Sequence, residues 1–402
     1  MAPIFLKDDF VTRTLLLIVS ALCALPLLAA AAALPERPAV EAGAGFIRTT
    51  QQADGGFGGF GDGQTFDAIY ALRAAGLDPN TVQKGGKSPA DFLKAKAPAQ
   101  SAPAIAAKAA LAARALGLDP RAVGGTDLVA RVTAAYKADT GRYAADDFGQ
   151  AVSMLGLVCT GNRALLGTKA SEGLSGSQLP GGGWGFDGAA DPDTTALAVQ
   201  ALLAAGASAT DAAVTRAITY FRAAQGNDGG WGFDPDASNA SSTAVVVQAL
   251  LAAGEPVEGP AYRKGTKTAV TFLLGEQLPD GSFKGFDPAF GTNQVVPALA
   301  GRTFCNAVET PIAPAAPAAT PTAATPTATP PAAPTRTATA TPSAPATPAT
   351  PTAAPSTPIA APSPPATGSG QAGGASPDGS WVALGAVLLL AGAGAASAAR
   401  RR

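Results

Sequence analysis

The chain has 402 residues and a formal charge of −1, from 28 basic and 29 acidic side chains. That balance argues against a nucleic-acid-binding domain, which carries a basic patch. Histidine is absent, which excludes Ser–His–Asp and Cys–His catalysis, a His general base and any His-ligated zinc.

Residues 1–33 read as a secretory signal. Lys7 and Arg13 flank its start, Leu15–Leu28 is apolar, and Ala29–Ala33 is a small-residue cleavage zone. Asp8 and Asp9 are unusual so early, and an uncleaved anchor is the alternative. Cys23 lies in this segment.

Residues 34–306 form a repeat domain. Its reference stretch is YFRAAQGNDGGWG: Tyr220, then Gln225, Gly229 and Trp231. The same order returns as Phe46, Gln51, Gly55 and Phe57; as Gln178, Gly182 and Trp184; and as Phe272, Gln277, Gly281 and Phe283. A degenerate copy has Lys137 for Gln but keeps Gly141 and Tyr143, and a fainter one keeps only Phe92. The Gln-equivalent positions 51, 97, 137, 178, 225 and 277 are 46, 40, 41, 47 and 52 residues apart. That period fits two helices and two connections per repeat. First helices are predicted over 37–50, 87–96, 126–138, 164–176, 211–225 and 262–276, and second helices over 66–75, 104–116, 147–159, 194–205, 242–253 and 293–303. The second set is rich in small apolar residues and is expected inside; the first carries more charge and is expected outside. Gly76, Gly117, Gly206 and Gly254 are stop signals, and Pro297 should interrupt the last inner helix or delay its start. The motif Gln should hydrogen-bond the loop backbone, and the aromatic should pack between repeats.

Residues 307–379 are Ala, Pro, Thr and Ser, a composition that predicts a disordered, extended stalk. Residues 380–402 hold an apolar span, 381–399, followed by Arg400–Arg402. This predicts a single-pass membrane helix with the repeat domain outside and the C-terminus in the cytoplasm. Pro365-Ala366-Thr367-Gly368, the apolar span and the basic tail together resemble a sortase sorting signal, so attachment to a cell wall is the alternative to a plain anchor.

The repeat motif resembles the QW motif of squalene–hopene cyclases and other terpene cyclases, and the repeats of protein prenyltransferase β subunits. The resemblance implies an all-α fold, an (α/α)6 toroid of six inner helices ringed by six outer ones. In such a ring Cys159 and Cys305 end the second helices of opposite repeats. They are either two separate buried thiols or a disulfide, which needs the chain after Phe304 to cross an end of the ring. Tyr70, Gln200 and Gln248 stand six residues before the closing Gly of inner helices; they either line a central cavity or fill a hydrogen-bonded core.

Squalene–hopene cyclases protonate their substrate with an Asp in a D-x-D-D-T-A motif. Asp191-Pro192-Asp193-Thr194-Thr195-Ala196 matches it except at Thr194. The resemblance implies Asp193 as the proton donor, kept protonated by burial and by Asp191. The bland alternative is that Asp193 is the N-cap of its helix, as Ser241 or Ser242, Asp147 and Thr292 stand at comparable starts. Those cyclases also carry two fused α-barrels, where this chain has one. Prenyltransferase chemistry is excluded with its zinc His. Gly275-Glu276-Gln277 echoes a thioester motif without the Cys. The cobalamin-carrying α-domain of the transcobalamin type is a further, non-enzymatic relative. Asp234-Pro235-Asp236, with Asn227, Asp228 and Asn239, offers oxygen ligands compatible with Ca²⁺ or simply a capped loop.

These readings give a membrane-tethered toroid acting as a surface binding or interaction module. Its ligand would be a small apolar molecule, a surface protein or a polymer, and neither cofactor nor metal is predicted. A cyclase-like enzyme using Asp193 and a small-molecule carrier are the alternatives.

Overall fold

A computed structural model describes residues 34–312, apart from Phe60 and Pro235. The signal, the stalk, the 381–399 span and the sorting-like signal lie outside the described residues. Among the described residues no helix is long and apolar enough to cross a membrane.

Six inner helices, α2 (Asp62–Ala74), α4 (Pro103–Ala115), α6 (Asp147–Val158), α8 (Pro192–Ala204), α10 (Ala240–Ala252) and α12 (Pro288–Leu299), each pack on the next, and α12 packs back on α2. The ring is closed. Outer helices α1 (Arg37–Thr49), α3 (Pro89–Lys96), α5 (Leu128–Ala134), α7 (Ala170–Ser175), α9 (Ala212–Ala224) and α11 (Ala269–Gly275) lie against them. The inner helices bury nearly every face, and their small side chains allow six backbones to approach around one axis. Added to this are one hairpin, β1 (Trp184–Phe186) with β2 (Ala189–Asp191), and a short last helix, α13 (Phe304–Val308).

The motif side chains explain the closure. Gln225 Nε2 donates to the Gly229 carbonyl of its own loop and to the Tyr262 carbonyl of the next repeat, at 2.8 and 3.0 Å. Gln51 and Gln178 make the same pair of bonds. Gln277 bonds Gly281 O and Ala39 O, which ties the last repeat to the first. Gly281, at φ +88°, is required there: a Cβ would stand 2.5 Å from the Ala42 carbonyl. Trp184 and Trp231 are fully buried and donate Nε1–H to Leu174 O and Phe221 O.

Several outer helices are shorter than the periodicity predicts. The 262–276 helix is α11, Ala269–Gly275, and the 164–176 helix is a 3-10 turn at Arg163–Leu165 followed by α7. Tight turns precede three of the outer helices, and one of them, Gly265-Thr266, lies inside the predicted 262–276 span. Gly85-Gly86, Gly124-Gly125 and Gly265-Thr266 sit between bridged pairs such as Lys84–Lys87. Each turn delivers a cap, Ser88, Asp127 or Thr268, to the following helix. Pro297 neither interrupts nor delays its helix. α12 begins at Pro288, where proline favours a first turn, and Pro297 falls in the last turn, so the helix runs on to Leu299.

Helix α13 packs across the C-terminal ends of α2, α4 and α6, and Cys305 is disulfide-bonded to Cys159 at the end of α6. The crossing that a disulfide requires is therefore present. Tyr70 stacks on Phe304 and shares its hydroxyl between Gln248 Oε1 and Thr303 O. Gln200 Oε1 accepts the Phe304 N–H at 3.1 Å. Tyr70 and Gln248 are hydrogen-bonded to each other at this end of the ring, and Gln200, held to Phe304, also lines a cleft there.

Candidate functional site

The site with the most unusual chemistry lies at the other end, where loops feed the N-termini of the inner helices. Asp187 (φ +49°) and Gly188 (φ +77°) make the two-residue turn of the β1–β2 hairpin. Its register pairs Trp184 with Asp191, so Asp191 stands where the strand becomes α8. Asp191 Oδ1 accepts the Thr194 N–H at 2.7 Å; Asp191 is the N-cap, and Pro192 opens the helix.

This corrects the capping assignments made on sequence. Asp193, Asp147, Thr292 and the Ser241/Ser242 pair all lie inside their helices. The caps are Asp191, Asp146, Asp287 and Asn239. Thr292 and Thr195 serve a different bond, accepting the N–H of Phe283 and of Trp184; Thr65 and Thr243 do the same for Phe57 and Trp231. Thr195 of the D-x-D-T-T-A run is thus a repeat-wide structural residue.

Asp193 is left without a capping role. Its Oδ1 is buried and has no hydrogen-bond partner among the described residues, and the same holds for Asp191 Oδ2. Burial, and then the charge of Asp191, push the Asp193 carboxyl up to about 7, with the Ser242 hydroxyl acting the other way. Burial pushes Asp191 up to about 6 against the Thr194 N–H bond. Tyr220 lies near both, its hydroxyl also raised by burial and by these two carboxyls. A buried carboxyl that titrates near neutrality can hold or release a proton there, which is the elementary requirement of a general acid.

Sequence reasoning missed several residues. Gln150 of α6 replaces the absent motif Gln of the third repeat: its Nε2 donates to Gly141 O and Ala170 O, and its Oε1 accepts the Tyr143 N–H. Arg131 clasps the faint second-repeat loop through Ala97, Pro98 and Gln100 carbonyls. Asp67 and Lys108 form a 2.7 Å ion pair between α2 and α4. Burial raises the Asp67 carboxyl and Lys108 opposes it. In the Asp234–Asp236 loop the carboxylates turn onto their own backbone: Asp234 accepts the Asp236 N–H, and Asp228 accepts Gly230 N–H and the Ser238 hydroxyl. No group of three acidic or Cys side chains placed to hold a metal ion occurs among the described residues.

The profile of the squalene–hopene cyclase C-terminal domain matches residues 132–294. No curated protein sequence matches the chain. Among solved structures, the fold is similar to a variant of the type II terpene cyclase MstE from Scytonema with its product merosterolic acid A. The identity is 18%, the TM-score 0.51, and the match covers 66% of this chain and 96% of that one. A second MstE variant, with its substrate geranylgeranyl dihydroxybenzoate, matches at 17% identity and a TM-score of 0.50 over 68% and 97%. One toroid accounts for nearly all of those chains.

Proposed function

Because its repeat domain belongs to the terpenoid-cyclase-like α/α-toroid family, we propose that this chain is an exported, membrane-tethered member that binds a partner through the loop end of its ring. The observation that carries the reading is a set of exposed aromatic side chains in the fifth and sixth repeats. Phe233, Phe286 and Phe290 are 50%, 67% and 38% exposed. Aromatic side chains are enriched at interaction surfaces. Asp234, Asp236 and Asp287 stand beside them in the chain, which favours a partner, protein or polymer, with apolar and basic groups. The disulfide supports an oxidising compartment, and the apolar span with its basic tail supports the tether. A photo-crosslinking phenylalanine analogue at Phe233 or Phe290, on intact cells, is expected to give a discrete adduct; one at Arg121, in a connection at the opposite end, is not. Equal labelling at both ends would contradict the reading.

A second reading, a cyclase-like enzyme with Asp193 as the acid, is favoured by its raised carboxyl, one oxygen of which is buried without a partner among the described residues. The pH dependence of stability bears on it. A carboxyl whose folded pKa lies above its unfolded value makes stability fall as pH rises between the two, here from about 4 to about 7. Asp193→Asn should remove a decline on the order of 2–4 kcal/mol over that window and abolish any cyclisation with the fold intact. A pH profile of unfolding unchanged by Asp193→Asn would show that the carboxyl is not held in this state, and a cyclisation activity unchanged by it would remove the enzyme reading.

A further inference from the structure

The described residues cover the end of the ring opposite the loops only in part. Helix α13 packs on α2, α4 and α6. The chain then passes the ends of α2 and α4: Glu309 pairs with Arg114 at 3.8 Å, and a Cβ on Gly76 would stand 3.6 Å from the Pro311 carbonyl. The described chain therefore leaves on the side away from α8 and α10. Between those two helices and the start of α13 is a cleft of about 340 Å³, with Leu155, Gln200, Leu203, Leu251, Phe304 and Cys305 in its walls. Among the described residues no charged side chain lines it.

Gln200 is the informative residue. It is 3% exposed, and its Oε1 accepts the Phe304 N–H, which fixes the orientation of the amide. Its Nε2 is buried without a partner among the described residues. A buried donor without an acceptor is an exception in folded proteins and calls for one. A cleft walled by leucines and Phe304, with Gln200, Thr303 and Asn306 as its polar groups, has the ordinary form of a small-molecule site, and this volume is at the low end of such sites.

We propose that this cleft binds a small, neutral aliphatic molecule carrying one carbonyl oxygen, which accepts from Gln200 Nε2 while its chain lies against Leu203, Leu251 and Phe304. The absence of lining charge disfavours carboxylates and amines, whose desolvation would go uncompensated. The site is separate from the loop surface and from the Asp191–Asp193 pair, which lie at the other end of the ring.

The probe is 2-octanone, titrated calorimetrically into the full-length chain. Saturable binding of one equivalent is expected. Leu251→Trp, which fills the cleft and leaves Gln200 in place, should abolish it. Gln200→Met should weaken it about tenfold, the loss of one hydrogen bond. Absence of saturable binding, or an affinity unchanged by Leu251→Trp, overturns the proposal. So does a crystal structure at saturating 2-octanone with only a water on Gln200 Nε2. Should Gln200→Met release α13, the Leu251→Trp result and that crystal structure still decide the matter.

Discussion

Trp231→Ala should destabilise the toroid by about 3–5 kcal/mol, the range for deleting a buried aromatic. Its ring is fully buried beside Tyr262, at a centroid distance of 6.4 Å. Its Nε1–H satisfies the Phe221 carbonyl at the end of α9, and its backbone N–H is held by Thr243 of α10. The substitution opens a cavity between adjacent repeats and orphans a helix-terminal carbonyl. Phe233→Ala, two residues further on, should change stability by no more than about 0.5 kcal/mol, because that side chain is half exposed. Urea unfolding of the two variants checks the contrast. Equal losses would mean that the motif aromatic is not the wedge between repeats.

Cys305→Ala should cost about 2–5 kcal/mol, and the cost should appear first at α13. The disulfide joins positions 146 residues apart, so on the chain-entropy view its constraint on the unfolded state approaches about 5 kcal/mol. The helix it holds is only five residues long, too short to persist without tertiary contacts. Reduction should therefore release the Tyr70–Phe304 stack and the Phe304 N–H bond to Gln200 while the inner ring persists. Hydrogen exchange resolves the order of events: Phe304 should lose protection on reduction, and amides in the middle of α10 should not. Simultaneous loss at both places would show that the ring depends on the staple throughout.

The repeat architecture was legible because the Gln, the positive-φ glycine and the aromatic perform one job in each well-formed copy, and that job needs all three. Gln225, Gly229 and Trp231 could be read as a unit before any contact was known. The third repeat shows where such reading stops. Lys137 made the copy look degenerate, yet Gln150, thirteen residues on and on the inner helix, restores both hydrogen bonds. Only three-dimensional proximity reveals that exchange. The Thr65, Thr195, Thr243 and Thr292 series was visible in principle, but loops of unequal length between aromatic and Thr blur its spacing. Asp193 was misplaced as a cap because Pro192 was not used to set the helix start. With proline at the first helical position, the cap falls to Asp191 and Asp193 turns inward. The cleft beside α13 had no sequence signal, since it arises from where a short C-terminal helix happens to stop.

Thiol mapping of the full-length chain from intact cells, by alkylation before and after reduction and peptide mass spectrometry, bears most directly on the proposal of an exported toroid partly covered at one end by a stapled helix. Cys159 and Cys305 should be recovered as one linked pair, unreactive until reduced. Recovery of both as free thiols would contradict the staple, the docked α13 and the oxidising compartment together.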